Sequence, residues 1–195
     1  DAQESRGLGD VYKRQVYKKE DAFYADPKTG KELDRTGKFF IDPAYGKRLK
    51  TSVNADITEV EENTRAAKAL LDSFQKMSIR INEHVLEEGR KNPEYTVNGK
   101  TADRKGIESE QGITSGFKKA IKQGCEIVII DLDAHLKEKT LKVRDLSRHI
   151  YWRKTDFEKG IIQSCYVIYR GRAVVVRKAD MGRDKIENVL KQLEP

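Results

Sequence analysis

The chain has few of the residues from which familiar active sites are built, with three histidines and two cysteines in 195 residues. There is no Cys-x-x-Cys pair and no histidine cluster, which argues against a zinc centre. Cys125 and Cys165 each lie beside an apolar, strand-like run, so two buried free thiols are expected rather than a disulfide framework. A glycine-rich phosphate loop is missing, as is any serine or cysteine nucleophile motif. Kinase, dehydrogenase and nucleophile-type hydrolase readings fall with them. The longest aliphatic run, Ile127-Val128-Ile129-Ile130, is far too short to cross a bilayer. The N-terminus lacks the basic-then-apolar pattern of a signal peptide, so no targeting segment and no membrane association are expected.

Charge is abundant. Lys and Arg total 39 against 32 acidic residues, a net of +7, while hydrophobic residues make up only 37%, so the core must be lean. A basic balance of this size permits an anionic partner such as nucleic acid, and equally a lysine-rich solvated surface.

Three regions differ in pattern. Residues 1–15, DAQESRGLGDVYKRQ, show no amphipathic period and are expected to be a non-native or disordered tail; SRGLGDVYKRQ resembles translated adapter sequence. Residues 16–55 are dense in turn signals such as Asp42-Pro43 and Tyr45-Gly46. They are expected to form an irregular extension, with a small hairpin around Phe39-Phe40-Ile41. From residue 56 to 195 the pattern is that of an α/β sheet packed with helices. Ile57, Val60, Thr64, Ala67, Leu71 and Phe74 mark one helix face, and Met77–Ile81 reads as a strand. Ile113, Phe117 and Ile121 mark a second helix, stopped by Gly124, and the apolar CEIVIIDL reads as a central strand. A helix over Leu141–Arg153, two strands within 162–177 and a closing helix through Ile186, Leu190 and Leu193 complete the order.

Between the first strand and the second helix stands NPEYTVNGKTADRKG. Asn98-Gly99 flanked by β-formers predicts a two-residue type I′ hairpin, because both central positions require positive φ. Val97 then faces Lys100, Thr96 faces Thr101, Tyr95 faces Ala102 and Glu94 faces Asp103. Alternation sends Tyr95, Val97 and Ala102 to one side, and Glu94, Thr96, Thr101, Asp103 and Lys105 to the other. Two opposed carboxylates repel. A divalent cation, Mg²⁺ or Mn²⁺, removes the conflict, since Mg²⁺ needs only one or two carboxylates beside its waters. Lys105 on the same face can offset charge on a phosphate. Glu94, Asp103 and Lys105 thus supply the parts for metal-dependent phosphodiester hydrolysis. Gln111, just downstream, can orient a water or a phosphate.

Pro93-Glu94, the turn, and Asp103-Arg104-Lys105, set in an α-β-β-β-α-β order over about 56–132, resemble the PD-(D/E)xK nuclease superfamily. The resemblance implies a restriction-endonuclease-like core with a mixed central sheet flanked by helices. NPEYTVNGKTADRKG and the following AIKQGCEIVIIDL are similar, more narrowly, to the tRNA-cleaving C-terminal toxin domains of bacterial contact-dependent inhibition proteins. Similar domains also occur appended to phage head proteins. This likeness implies an RNA or tRNA substrate, a cognate immunity protein and action in a bacterial cytoplasm. Glu94 stands where the motif usually has aspartate, which moves the carboxylate by one methylene. The family often adds a glutamate from the preceding helix; Glu62 matches by position, and Glu83 competes as the further metal ligand.

Around this site, Lys118, Lys119 and Lys122 share one flank of the second helix and can neutralise backbone phosphates. Arg144, Arg148 and Arg153, with Tyr151 and Trp152, make a basic and aromatic helix able to stack against RNA, although Trp152 also suits a core anchor. His84 and His135 have no ligand-like company. Two other readings stay open: a non-catalytic nucleic-acid-binding or phage-structural module on a decayed nuclease fold, and a metal-independent ribonuclease using His149.

Overall fold

The computed structural model describes residues 31–134 and 140–195, and the backbone of Tyr24–Ala25. The tail expected over 1–15, and His135, lie outside the described residues. Ten strands form one mixed sheet in which spatial order follows chain order. β1 (Tyr24–Ala25), β2 (Glu32–Leu33), β3 (Phe39–Asp42) and β4 (Gly46–Ser52) form an antiparallel meander. Helix α1 (Val60–Ser73) then crosses over to β5 (Ile79–Ile81), which lies parallel to β4. β5 runs antiparallel to β6 (Tyr95–Val97), which turns tightly into β7 (Lys100–Gly106). Helix α2 (Gly112–Lys122) leads to β8 (Ile127–Asp131), parallel to β7. Helices α3 (Val143–Tyr151) and α4 (Lys154–Glu158) lead to β9 (Ser164–Tyr169), parallel to β8. A hairpin to β10 (Arg172–Arg177) and helix α5 (Arg183–Lys191) close the chain.

The protein is therefore α/β with a mixed sheet and helices on both faces. The expected order from α1 to α5 is the order found, with the short α4 added. The boundary expected at residue 56 does not divide the sheet. β4 pairs with β5 across it, through Leu49↔Ile79, Lys50↔Arg80 and Thr51↔Ile81, so the meander that reads as an extension is part of the same sheet.

Two cores lie on opposite sides. Under α1, Ala66, Ala67, Leu70 and Leu71 pack on Ile79, Ile81, Tyr95, Val97, Ile127 and Ile129. The alanines let the helix lie close to the strands. Its C-terminal carbonyls at Leu71 and Phe74 are satisfied by the Arg48 guanidinium, at 2.8 and 2.9 Å, in place of a glycine stop. On the second face, Ile113, Phe117, Leu146, Ile150, Phe157, Ile186 and Leu190 cover Val128, Ile130, Cys165, Val167 and Val176. β8 is buried at every position, as a strand sandwiched between both cores requires.

Two residues depart from the expected helical pattern. Ile57, expected on the inner face of the first helix, is 87% exposed, because the helix begins only at Val60. Leu86 is also exposed, in the loop after β5, and Trp152 is 56% exposed rather than a core anchor, since α3 ends one residue before it. Cys125 and Cys165 are free and buried, and burial pushes the Cys125 thiol up to about 12. No helix among the described residues is long and apolar enough to cross a membrane.

Candidate functional site

The β6–β7 turn has the geometry its sequence demands. Asn98 and Gly99 adopt φ of 48° and 83°, and the register is Val97↔Lys100, Thr96↔Thr101 and Tyr95↔Ala102. The Asn98 side chain fastens the turn by accepting from the Ser78 N–H at 2.8 Å. One residue before β6 the ladder stops, which leaves the Arg104 N–H without a strand partner on that side. The Glu94 carboxylate accepts it, Oε2 lying 2.8 Å from the amide.

That hydrogen bond folds Glu94 back over β7, toward Asp103. Asp103 is only 3% exposed, and its Oδ2 holds the Lys105 ammonium at 2.7 Å. Burial, and secondarily the charge of Asp103, push the Glu94 carboxyl up to about 7, while the Arg104 amide and the positive charges of Arg104 and Lys105 work the other way. Glu94, Asp103 and Lys105 all line one cleft of about 220 Å³. Helix α2 crosses close above them. A Cβ on Gly116 would stand 3.1 Å from Lys105 Cγ, so the glycine leaves the room that the lysine occupies.

Behind β7, on the α1 side, Arg104 is clamped among Asn63, Asp131 and Glu59 at 2.9, 3.2 and 3.0 Å. Asp131 is fully buried and also holds Arg65, which in turn binds Glu62 at 3.0 Å. Tyr95 Oη donates to the Asn63 carbonyl at 2.7 Å. This network pins α1 to the strands that carry the acids. The alternation that sends Ala102 inward sends Arg104 inward too, and a buried arginine between two site residues was the available signal for it.

The other expected site residues divide. Glu83 lines the cleft, with Arg90 at 3.9 Å. Glu62 turns to Arg65 and does not border the cleft; the α1 residues that do are Glu59 and Asn63. His84, which has no ligand-like company in the sequence, shares the cleft wall with Asp56, Asn82 and Asn92. Among the described residues, no group of three or more His, Cys, Asp or Glu is close enough to hold a metal ion by itself. Gln111 is exposed just ahead of α2, outside the cleft. Lys118, Lys119 and Lys122 are exposed; Lys119 borders a second cleft of about 230 Å³ on the far side of Lys105. Arg144 is exposed, Arg148 pairs with Asp145 and covers the Trp152 ring, and Arg153 is held by Asp156 at 2.6 Å. His149 is 7% exposed and edge-on to Trp152, away from the carboxylate cleft. Compared with family models, curated proteins and solved structures, the chain matches none of them.

Proposed function

We propose that the protein is a metal-dependent endonuclease with a restriction-endonuclease-like core, acting on RNA, with tRNA as its substrate. The carrying observation is the convergence of Glu94, Asp103 and Lys105 on one cleft. The order α1-β5-β6-β7-α2-β8, antiparallel through β7 and parallel at β8, is compatible with the α-β-β-β-α-β core of that superfamily.

The donor set suits a hard cation. Two carboxylates face each other across the hairpin, one of them raised by burial and by its neighbour's charge, and Mg²⁺ or Mn²⁺ requires no more than one or two such ligands. Glu94 and Asp103 would hold the ion. When bound, it supplies Lewis acidity to the scissile phosphate and makes water a usable nucleophile at neutral pH. The chain's own groups do the rest. The Arg104 amide fixes Glu94, the buried Asp131 and Asn63 fix Arg104, and Lys105 stands ready to offset charge growing on the phosphate. On this reading the chain is a toxin-type C-terminal domain, and an immunity protein would cover the cleft.

The test is incubation with tRNA and with plasmid DNA, in Mg²⁺ or in EDTA, beside Asp103→Ala. Cleavage of tRNA that needs Mg²⁺, and falls about a hundredfold or more in the variant, is expected. Failure to cut either substrate with Mg²⁺ or Mn²⁺ overturns the enzyme reading and leaves a non-catalytic binding module.

A further inference from the structure

The helices of the second face pack over β7–β10, and none of the described helices covers that face over β3–β6. There, alternation presents what the α1 core does not take: Phe39 on β3, Arg80 on β5, Thr96 on β6 and Thr101 on β7. The Thr36–Lys38 turn walls one side and the loop through Lys91 and Asn92 walls the other. Together they enclose a trough of about 660 Å³, against about 220 Å³ for the carboxylate cleft. The two concavities adjoin, with Asn82, Glu83, Asn92 and Pro93 in the walls of both.

We infer that this trough is the binding platform for an unpaired nucleic-acid strand, which it delivers to the carboxylate cleft. The inference rests on the nuclease reading for the destination of the strand, and on the trough's own chemistry for the occupant. Lys38, Arg80 and Lys91 are exposed, and none has a carboxylate within ion-pair distance among the described residues. Arg90 is excluded from this set because Glu83 and Glu87 hold it. Three cations without an acidic partner among the described residues, around a trough whose acidic lining is Glu83, favour a polyanion. The Arg80 guanidinium lies 5.1 Å from the centroid of the Phe39 ring, so the floor offers a flat aromatic and guanidinium surface. A base stacks on such a surface only when it is unpaired, which selects a loop or single strand over a duplex. The meander thereby acquires a role in substrate binding beyond extending the sheet.

The experiment is fluorescence anisotropy in EDTA, with the full chain and a fluorescein-labelled, unstructured RNA of about 12 nucleotides, a length suited to one such platform. The comparators are the matching duplex, poly-glutamate of similar length, and the Lys38→Gln/Arg80→Gln/Lys91→Gln variant, whose circular dichroism and melting should match the wild type because all three residues are exposed. The single strand should bind in preference to both competitors. The variant should bind it at least about tenfold more weakly, and the slope of log K against log salt should become shallower by about 2, at about 0.7 per released phosphate contact. Wild-type affinity and slope in the variant overturn the proposal. So does equal binding of duplex, or of poly-glutamate, which would mark an acidic-protein surface instead. The two claims separate cleanly. If the variant loses binding but wild type cuts no RNA in Mg²⁺, the trough stands and the nuclease reading falls. If wild type cuts and the variant cuts with the same kcat/KM, the nuclease reading stands and the trough falls.

Discussion

Replacing Glu94 by Gln should stabilise the protein at neutral and alkaline pH in the absence of divalent ions. Glutamine preserves the shape and the acceptor for the Arg104 N–H, and removes only the charge. In the folded chain the Glu94 carboxyl is raised from its usual 4.5 to about 7. Below about 4.5 the group is protonated in folded and unfolded chains alike, and its surroundings cost nothing. Between about 4.5 and 7 the unfolded chain loses this proton first, so stability falls as pH rises. Above about 7 the full penalty is present, at most about 3 kcal/mol for a shift of this size. The stronger hydrogen bond that the charged acid accepts from the Arg104 amide is already contained in that shift, so the net gain is at most about 3 kcal/mol. For a chain of this length that is a rise in melting temperature of up to roughly 6–12 °C. Denaturant or thermal melts in EDTA across pH 4 to 9 measure it. The two proteins should converge at the acid end and separate through neutrality, with the variant the more stable. Parallel curves, or a variant less stable at pH 8, would refute the argument that Glu94 sits in a buried, negatively charged setting.

Other consequences follow from the same geometry. Arg104→Ala takes one of two arginines from the buried Asp131, leaves Asn63 Oδ1 with Tyr95 Oη as its donor and removes the guanidinium from Glu59, so it should cost about 3 kcal/mol, read from urea melts. Gly116→Ala should keep the fold, since alanine favours a helix by up to about 1 kcal/mol, yet push Lys105 from Asp103 and slow the proposed RNA cleavage about tenfold or more. Cys125 and Cys165 should resist alkylation at pH 8 in native protein and react on unfolding, as mass spectrometry can count.

The hairpin was legible because its chemistry is local. Asn98-Gly99 sets the turn, and the period of two then determines which side chains share a face, so Glu94, Asp103 and Lys105 could be grouped before any tertiary contact was considered. β8 was legible for a related reason, since a continuous apolar run of that length fits a strand covered on both faces. What distant segments bring to the site was not. Glu59, Asn63 and His84 reach the cleft through packing of α1 and the loop after β5, and no sequence spacing relates them to Asp103. Glu62 matched by position, but three residues on a helix decide its partner, and Arg65 took it. The meander read as an appendage because its turns are frequent and its strands short. Its pairing with β5 is a parallel, long-range contact that local patterns do not encode.

The claim beneath all of this is that the acids on either side of one tight turn form a seat for a divalent ion. Electron paramagnetic resonance of Mn²⁺ titrated into the full chain at pH 7.5 measures it directly. One bound ion per wild-type chain is expected, displaced by Mg²⁺ and lost in Asp103→Asn with the fold intact. Equal uptake by wild type and variant, or no uptake by either, would contradict it.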